Sequence, residues 1–84
     1  MHYVYALLSQ KDRKFYVGYT VDLRKRFSEH NSSKVTSTRR RIPFDLVYYE
    51  ACRNKADALH RERYLKTAYG KRFLKNRLKK ELEI

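Results

Sequence analysis

KFYVGYTVDLRKRFSEH, residues 14–30, holds two elements of different character. FYVGYT (15–20) is dense in aromatic and β-branched residues and reads as a strand. VDLRKRFSEHN (21–31) reads as a helix, with Leu23, Phe27 and His30 at helical spacing and Arg26 beside them. Thr20 or Asp22 can cap its start, and Arg24 and Lys25 point away to solvent. Gly18 is the odd residue of the strand. Glycine weakens a strand, so it marks a bend, a bulge or a close approach by another backbone or a ligand. It stands directly before the helix that carries Arg26 and His30.

Outward from this stretch, HYVYALLS (2–9) is a second strand-like run, and the polar QKDRK between the two makes them a hairpin. Alternate residues share a face, which groups Tyr3, Tyr5 and Leu7, and separately Tyr16, Gly18 and Thr20. SSKVTSTRRRIP (32–43) is a basic loop without apolar periodicity. FDLVYYEAC (44–52) is a third strand. NKADALHRERYLKTAY (54–69) is a helix capped by Asn54, with Asp57 in a near match to a capping box, and Gly70 ends it. KRFLKNRLKKELEI (71–84) is a basic third helix whose Phe73, Leu74 and Leu78 can pack. The order β-β-α-β-α-α predicts an α+β domain: a small three-stranded, mostly antiparallel sheet flanked by helices.

The 84 residues fit one domain, 1–84. Eight tyrosines and four phenylalanines are too many for a solvated tail. The single cysteine, Cys52, excludes a disulfide framework and a cysteine zinc site. The N-terminal apolar run is too short to span a membrane and no cleavage site follows it, so a cytoplasmic protein without membrane contact is expected. Twenty-one Lys and Arg against nine Asp and Glu give a net charge of +12. Such an excess selects a polyanionic partner, nucleic acid first. Arg39, Arg40 and Arg41 in the loop and Lys71, Arg72 and Lys75 in the last helix are the candidate phosphate contacts.

Glu62 stands on the apolar stripe of its helix, between Ala58 and Leu65. A carboxylate there costs several kcal/mol unless something compensates it. Arg26, Arg61, Lys66 and a metal ion are the candidates. A Tyr5 or Tyr16 turned inward must give its hydroxyl a partner. Taken singly, Arg26, His30 and the two tyrosines also fit an ordinary packed interior.

Together these residues resemble a GIY-YIG nuclease domain. Tyr3-Val4-Tyr5 is similar to the first half of the name motif, and Tyr16-Val17-Gly18 to the second. YTVDLRKRFSEHN is similar to the helix bearing the family's arginine, here Arg26, and a His or Tyr one turn on, here His30. LVYYEA resembles the third strand, and ALHRERYLK the helix of the metal-binding glutamate, here Glu62. The chain is most similar to small stand-alone members related to the nuclease domain of excinuclease C. Two departures stand out. Tyr3 replaces the first glycine of the name, and Tyr19 follows Gly18 where excision-repair relatives have a lysine.

The resemblance implies a metal-dependent endonuclease acting on DNA rather than RNA, in repair or on branched structures. It implies magnesium or manganese at Glu62 and a scissile phosphate on Arg26. Tyr5 or Tyr16 would activate water, with Arg26 and the metal favouring the phenolate. His30 would take that proton or protonate the leaving group. The alternative is a non-catalytic nucleic-acid-binding module of the same fold. A protein partner or homodimer is compatible with either.

Overall fold

The computed structural model describes residues 1–83. The hairpin forms between β1 (His2–Ser9) and β2 (Phe15–Thr20), antiparallel, with Tyr5 opposite Gly18 and Leu7 opposite Tyr16. β3 (Phe44–Cys52) pairs antiparallel with the other edge of β1, so the strand order is β2-β1-β3. The expected three-stranded α+β sheet is present, and it is antiparallel throughout. Ala6 faces Tyr48 and Leu7 faces Leu46, which leaves Val47 as a bulge in β3.

The central position of β1 buries it on both faces, and Val4 through Ser9 are all buried. Val4, Ala6 and Val17 pack against Ala58 and Leu65 of α2 (Lys55–Leu65) and Leu74 of α3 (Ala68–Arg77). Tyr5, Leu7 and Phe44 pack on the other face with Leu23 and Phe27 of α1 (Leu23–Asn31). Leu65 and Leu74 are fully enclosed, and each such burial contributes about 1.5–3 kcal/mol. Helices therefore cover both sides of one small sheet.

Capping sets the helix starts. The Asp22 carboxylate accepts from the Lys25 N–H at 3.1 Å, so α1 begins at Leu23, and Thr20 instead bonds the Asp22 backbone. Asn54 caps α2 by accepting from Ala56 and Asp57. The helix expected over 54–69 ends earlier, at Leu65, and Gly70 does not end it. The Thr67 hydroxyl accepts from the Gly70 N–H and starts α3. A Cβ at Gly70 would collide with the Tyr64 carbonyl and the Leu65 backbone. That glycine lets two helices meet closely; it is not a terminator. The third expected helix divides at Leu78 into α3 and the short α4 (Lys79–Leu82). Its final residue, Ile84, lies outside the described residues. Phe73, Leu74 and Leu78 all pack into the core. Among the described residues no helix is long and apolar enough to cross a membrane.

Candidate active site

Tyr5 and Gly18 are cross-strand neighbours, and a Cβ on Gly18 would run into the Tyr5 ring and hydroxyl. The glycine leaves room for the tyrosine to lie across β2. At the far end of Tyr5 the hydroxyl meets Nε2 of His30 at 2.8 Å, and Nδ1 of His30 meets Oγ1 of Thr38 at 2.8 Å. Thr38 Oγ1 donates in turn toward the Val35 carbonyl, 3.5 Å away. His30 and Thr38 are fully buried.

Burial first, and the Arg26 charge second, lower the His30 pKa from 6.5 to about 4. The imidazole is therefore neutral, with one donor and one acceptor. One arrangement satisfies every group: Tyr5 O–H donates to Nε2, and Nδ1–H donates to Thr38. Burial also pushes the Tyr5 hydroxyl up to about 12, against the smaller downward pull of Arg26. At Tyr5 the arginine's pull toward the phenolate, one half of the expected effect beside that of a metal, is outweighed by desolvation.

Tyr16 differs in exposure. It is half-buried on the edge strand, and its ring lies edge-on to His30 at 5.0 Å. Its hydroxyl makes no hydrogen bond among the described residues. It lines a cleft of about 230 Å³ with Phe15, Val17, Lys66 and Lys71. Arg26, one helical turn before His30, is aimed by Glu29, whose Oε1 accepts from its guanidinium at 3.2 Å. Arg26 shares a cleft of about 500 Å³ with Tyr19, Lys25 and Lys55.

Glu62 lies on the stripe between Ala58 and Leu65, its side chain 18% exposed, and its ion-pair partner is Lys66 at 3.1 Å. The other candidates are engaged elsewhere, Arg26 with Glu29 and Arg61 with Glu50. The Glu62 charge is felt at the Tyr5 hydroxyl, alongside that of Arg26. Tyr5, Tyr16 and His30 meet directly, and Arg26 and Glu62, from α1 and α2, lie near enough for their charges to act on the Tyr5 hydroxyl. Among the described residues no group of three or more His, Cys, Asp or Glu could hold a metal ion. Glu62 Oε1 makes no hydrogen bond among the described residues. One such hard donor fits magnesium, which keeps its waters and needs only one or two carboxylates plus phosphate oxygens.

The expected phosphate contacts divide. Arg39 and Arg40 are exposed. Arg41 is taken by the fold: it pairs with Asp12 at 2.7 Å, donates to the Lys14 carbonyl and covers the Phe44 ring. Lys71 and Lys75 line a cleft of about 510 Å³ with Arg13 and Lys14, and Lys71 also reaches the Tyr16 cleft. Arg72 sits over the exposed Tyr69 ring. Glu29, Thr38 and Lys55 join the site without having been singled out in the sequence. Only Glu29 carried a signal, its i+3 spacing from Arg26.

The GIY-YIG catalytic domain model matches residues 1–79. A UPF0213 protein of Clostridium perfringens is 45% identical over 67 residues, 79% of this chain and 71% of that one. A UPF0213 protein of Haloquadratum walsbyi is 39% identical, over 79% of this chain and 74% of its own. Among solved structures, the solution NMR structure of a UPF0213 protein from Bacillus halodurans is similar with a TM-score of 0.54 and 39% identity. That match covers 87% of this chain and 80% of the other.

Proposed function

The chain belongs to the GIY-YIG catalytic-domain family, and on that premise we propose that it is a metal-dependent endonuclease hydrolysing phosphodiester bonds in DNA. The observation that carries the reading is the convergence of Arg26, Tyr16 and Glu62 beside a buried Tyr5–His30–Thr38 chain. A pure binding module has no need for a shielded carboxylate in that place.

In this reading Arg26, aimed by Glu29, holds the scissile phosphate with its fork of donors. Tyr16, the more accessible tyrosine, orients the attacking water. The water oxygen bonds to phosphorus, the ester P–O bond breaks, and a proton leaves with the alcohol. Tyr5 stays a neutral phenol that borders the phosphate site. His30 and Thr38 are positioning residues, since His30 is sealed from solvent. Glu62 would hold magnesium or manganese, displacing Lys66; when bound, the metal offsets charge on the phosphate and the leaving oxygen. Lys71 and Lys75 track the strand beyond the cleft, with Arg39, Arg40 and Arg72 as outlying contacts. DNA as the substrate, and a role in repair or branched-structure processing, extend the resemblance to excinuclease C.

One observation favours the non-catalytic alternative: Lys66 already neutralises Glu62 without a metal. Single-turnover cleavage of a branched DNA separates the readings. Tyr16→Phe and Arg26→Lys are expected to lose on the order of a hundredfold or more in rate, and Tyr5→Phe less. Wild-type protein that binds the DNA and never cuts it would establish the alternative.

A further inference from the structure

A further cleft, of about 540 Å³, opens at the N-terminal end of α1. It is lined by Tyr3, Tyr49, Val21, Leu23, Phe27 and Arg24, together with Asp22 and Leu46. Tyr49 is 53% exposed and Val21 63%, so neither is held by the core. The Tyr3 and Tyr49 rings meet edge-on, 6.0 Å apart at 61°, and form an aromatic corner. Asp22 is the only acid in the lining, and its carboxylate is occupied in capping α1. Arg24 brings a positive charge to the same lining. The cleft shares Val21 and Asp22 with the one that contains Arg26, Lys25 and Lys55, where three cations outnumber the acids Asp22 and Glu29, the latter paired with Arg26.

An aromatic groove continuous with a cationic one suits a nucleotide, base in the first and phosphate in the second. We propose that the Tyr3–Tyr49 groove holds an unpaired nucleobase of the substrate strand, stacked on Tyr49, next to the phosphate that Arg26 holds. This rests on the nuclease reading and narrows its substrate class. Bases inside a duplex are stacked on their neighbours and must be extruded to reach a pocket. The groove therefore selects single strands, or duplexes with an unpaired nucleotide at a flap, loop or junction. Phosphate contacts alone carry no such preference, and stacking on an aromatic ring accepts any base.

The test is binding in EDTA, where no cut is expected, with a short single-stranded DNA carrying 2-aminopurine and a blunt duplex of the same sequence. Wild type is expected to prefer the single strand and to quench the probe on binding. Tyr49→Ala, a change at an exposed site, is expected to bind the single strand about 5- to 150-fold more weakly, the loss of one stacked base, and to lose the quench. Tyr49→Phe keeps both. Unchanged quenching and affinity in Tyr49→Ala overturn the proposal. So does a wild-type dimer in sedimentation that Tyr49→Ala dissociates, because a second copy then covers the groove. Protein that binds the DNA in EDTA without quenching, and nicks it when magnesium is added, sinks the stacking alone. Protein that binds no nucleic acid sinks the nuclease reading with it.

Discussion

Tyr5 and His30 share one hydrogen bond, and neither has solvent to fall back on, at 2% and 0% exposure. Tyr5→Phe leaves Nε2 an acceptor without a donor. The expected loss is about 1–3 kcal/mol of stability, read from urea unfolding. An unchanged midpoint would mean that the bond contributes nothing. The same histidine gives a pH dependence. Its folded pKa lies at about 4, below the ordinary 6.5, so the unfolded chain takes up the proton first as pH falls. Stability is full above 6.5, declines toward 4 and then levels off, by up to roughly 3 kcal/mol in all. Asp12, held at about 2 by Arg41, acts in a lower window: it stabilises above 3.8 and that contribution is lost toward 2. Unfolding free energies between about pH 4 and 7.5 check the histidine's share, and His30→Gln should flatten the slope. Glu62 was visible in the sequence as a carboxylate on an apolar stripe, whereas Tyr5, Arg26 and His30, which singly fit a packed interior, were marked by the family resemblance. Sequence hid Thr38, because that interaction spans a loop without periodicity and depends on how the loop closes over α1.

Elements end where their caps are satisfied, and one glycine shows the consequence. Gly70→Ala puts a methyl against the Tyr64 carbonyl and the Leu65 backbone, an overpacking that costs about 1–3 kcal/mol. A thermal melt decides it; an unchanged or raised Tm would mean that the junction of α2 and α3 yields easily. The strands and the hairpin were legible because their composition and turn chemistry agree. The α2–α3 boundary was not. A glycine after a periodic run reads as a stop, while Thr67, three residues before it, was the true start signal. The N-cap at Asp22 was one of two expected alternatives, and the hydrogen bond to Lys25 selects it.

Across the whole molecule, part of the positive charge behind the net +12 lines two clefts that share Lys71, Lys66 beside Tyr16 in one and Arg13, Lys14 and Lys75 in the other. Composition indicated a polyanion but not these clefts, since chain order does not reveal that α3 lies beside the β1–β2 turn. Replacing Lys71 and Lys75 with Gln should weaken DNA binding for every sequence alike. The slope of log affinity against log salt should fall by about one for each phosphate that no longer has its lysine. Titrations at several salt concentrations test this, and an unchanged slope would place the strand elsewhere. A hydrolytic site with its metal at Glu62 is tested most directly by single-turnover nicking of supercoiled plasmid and a branched DNA. Wild type and Glu62→Gln are compared, each with magnesium and with EDTA. Wild type should cut in magnesium alone, and Glu62→Gln should reduce that rate on the order of a hundredfold or more. Equal cutting by both proteins, or cutting that persists in EDTA, would mean that the chemistry does not run through a metal at Glu62.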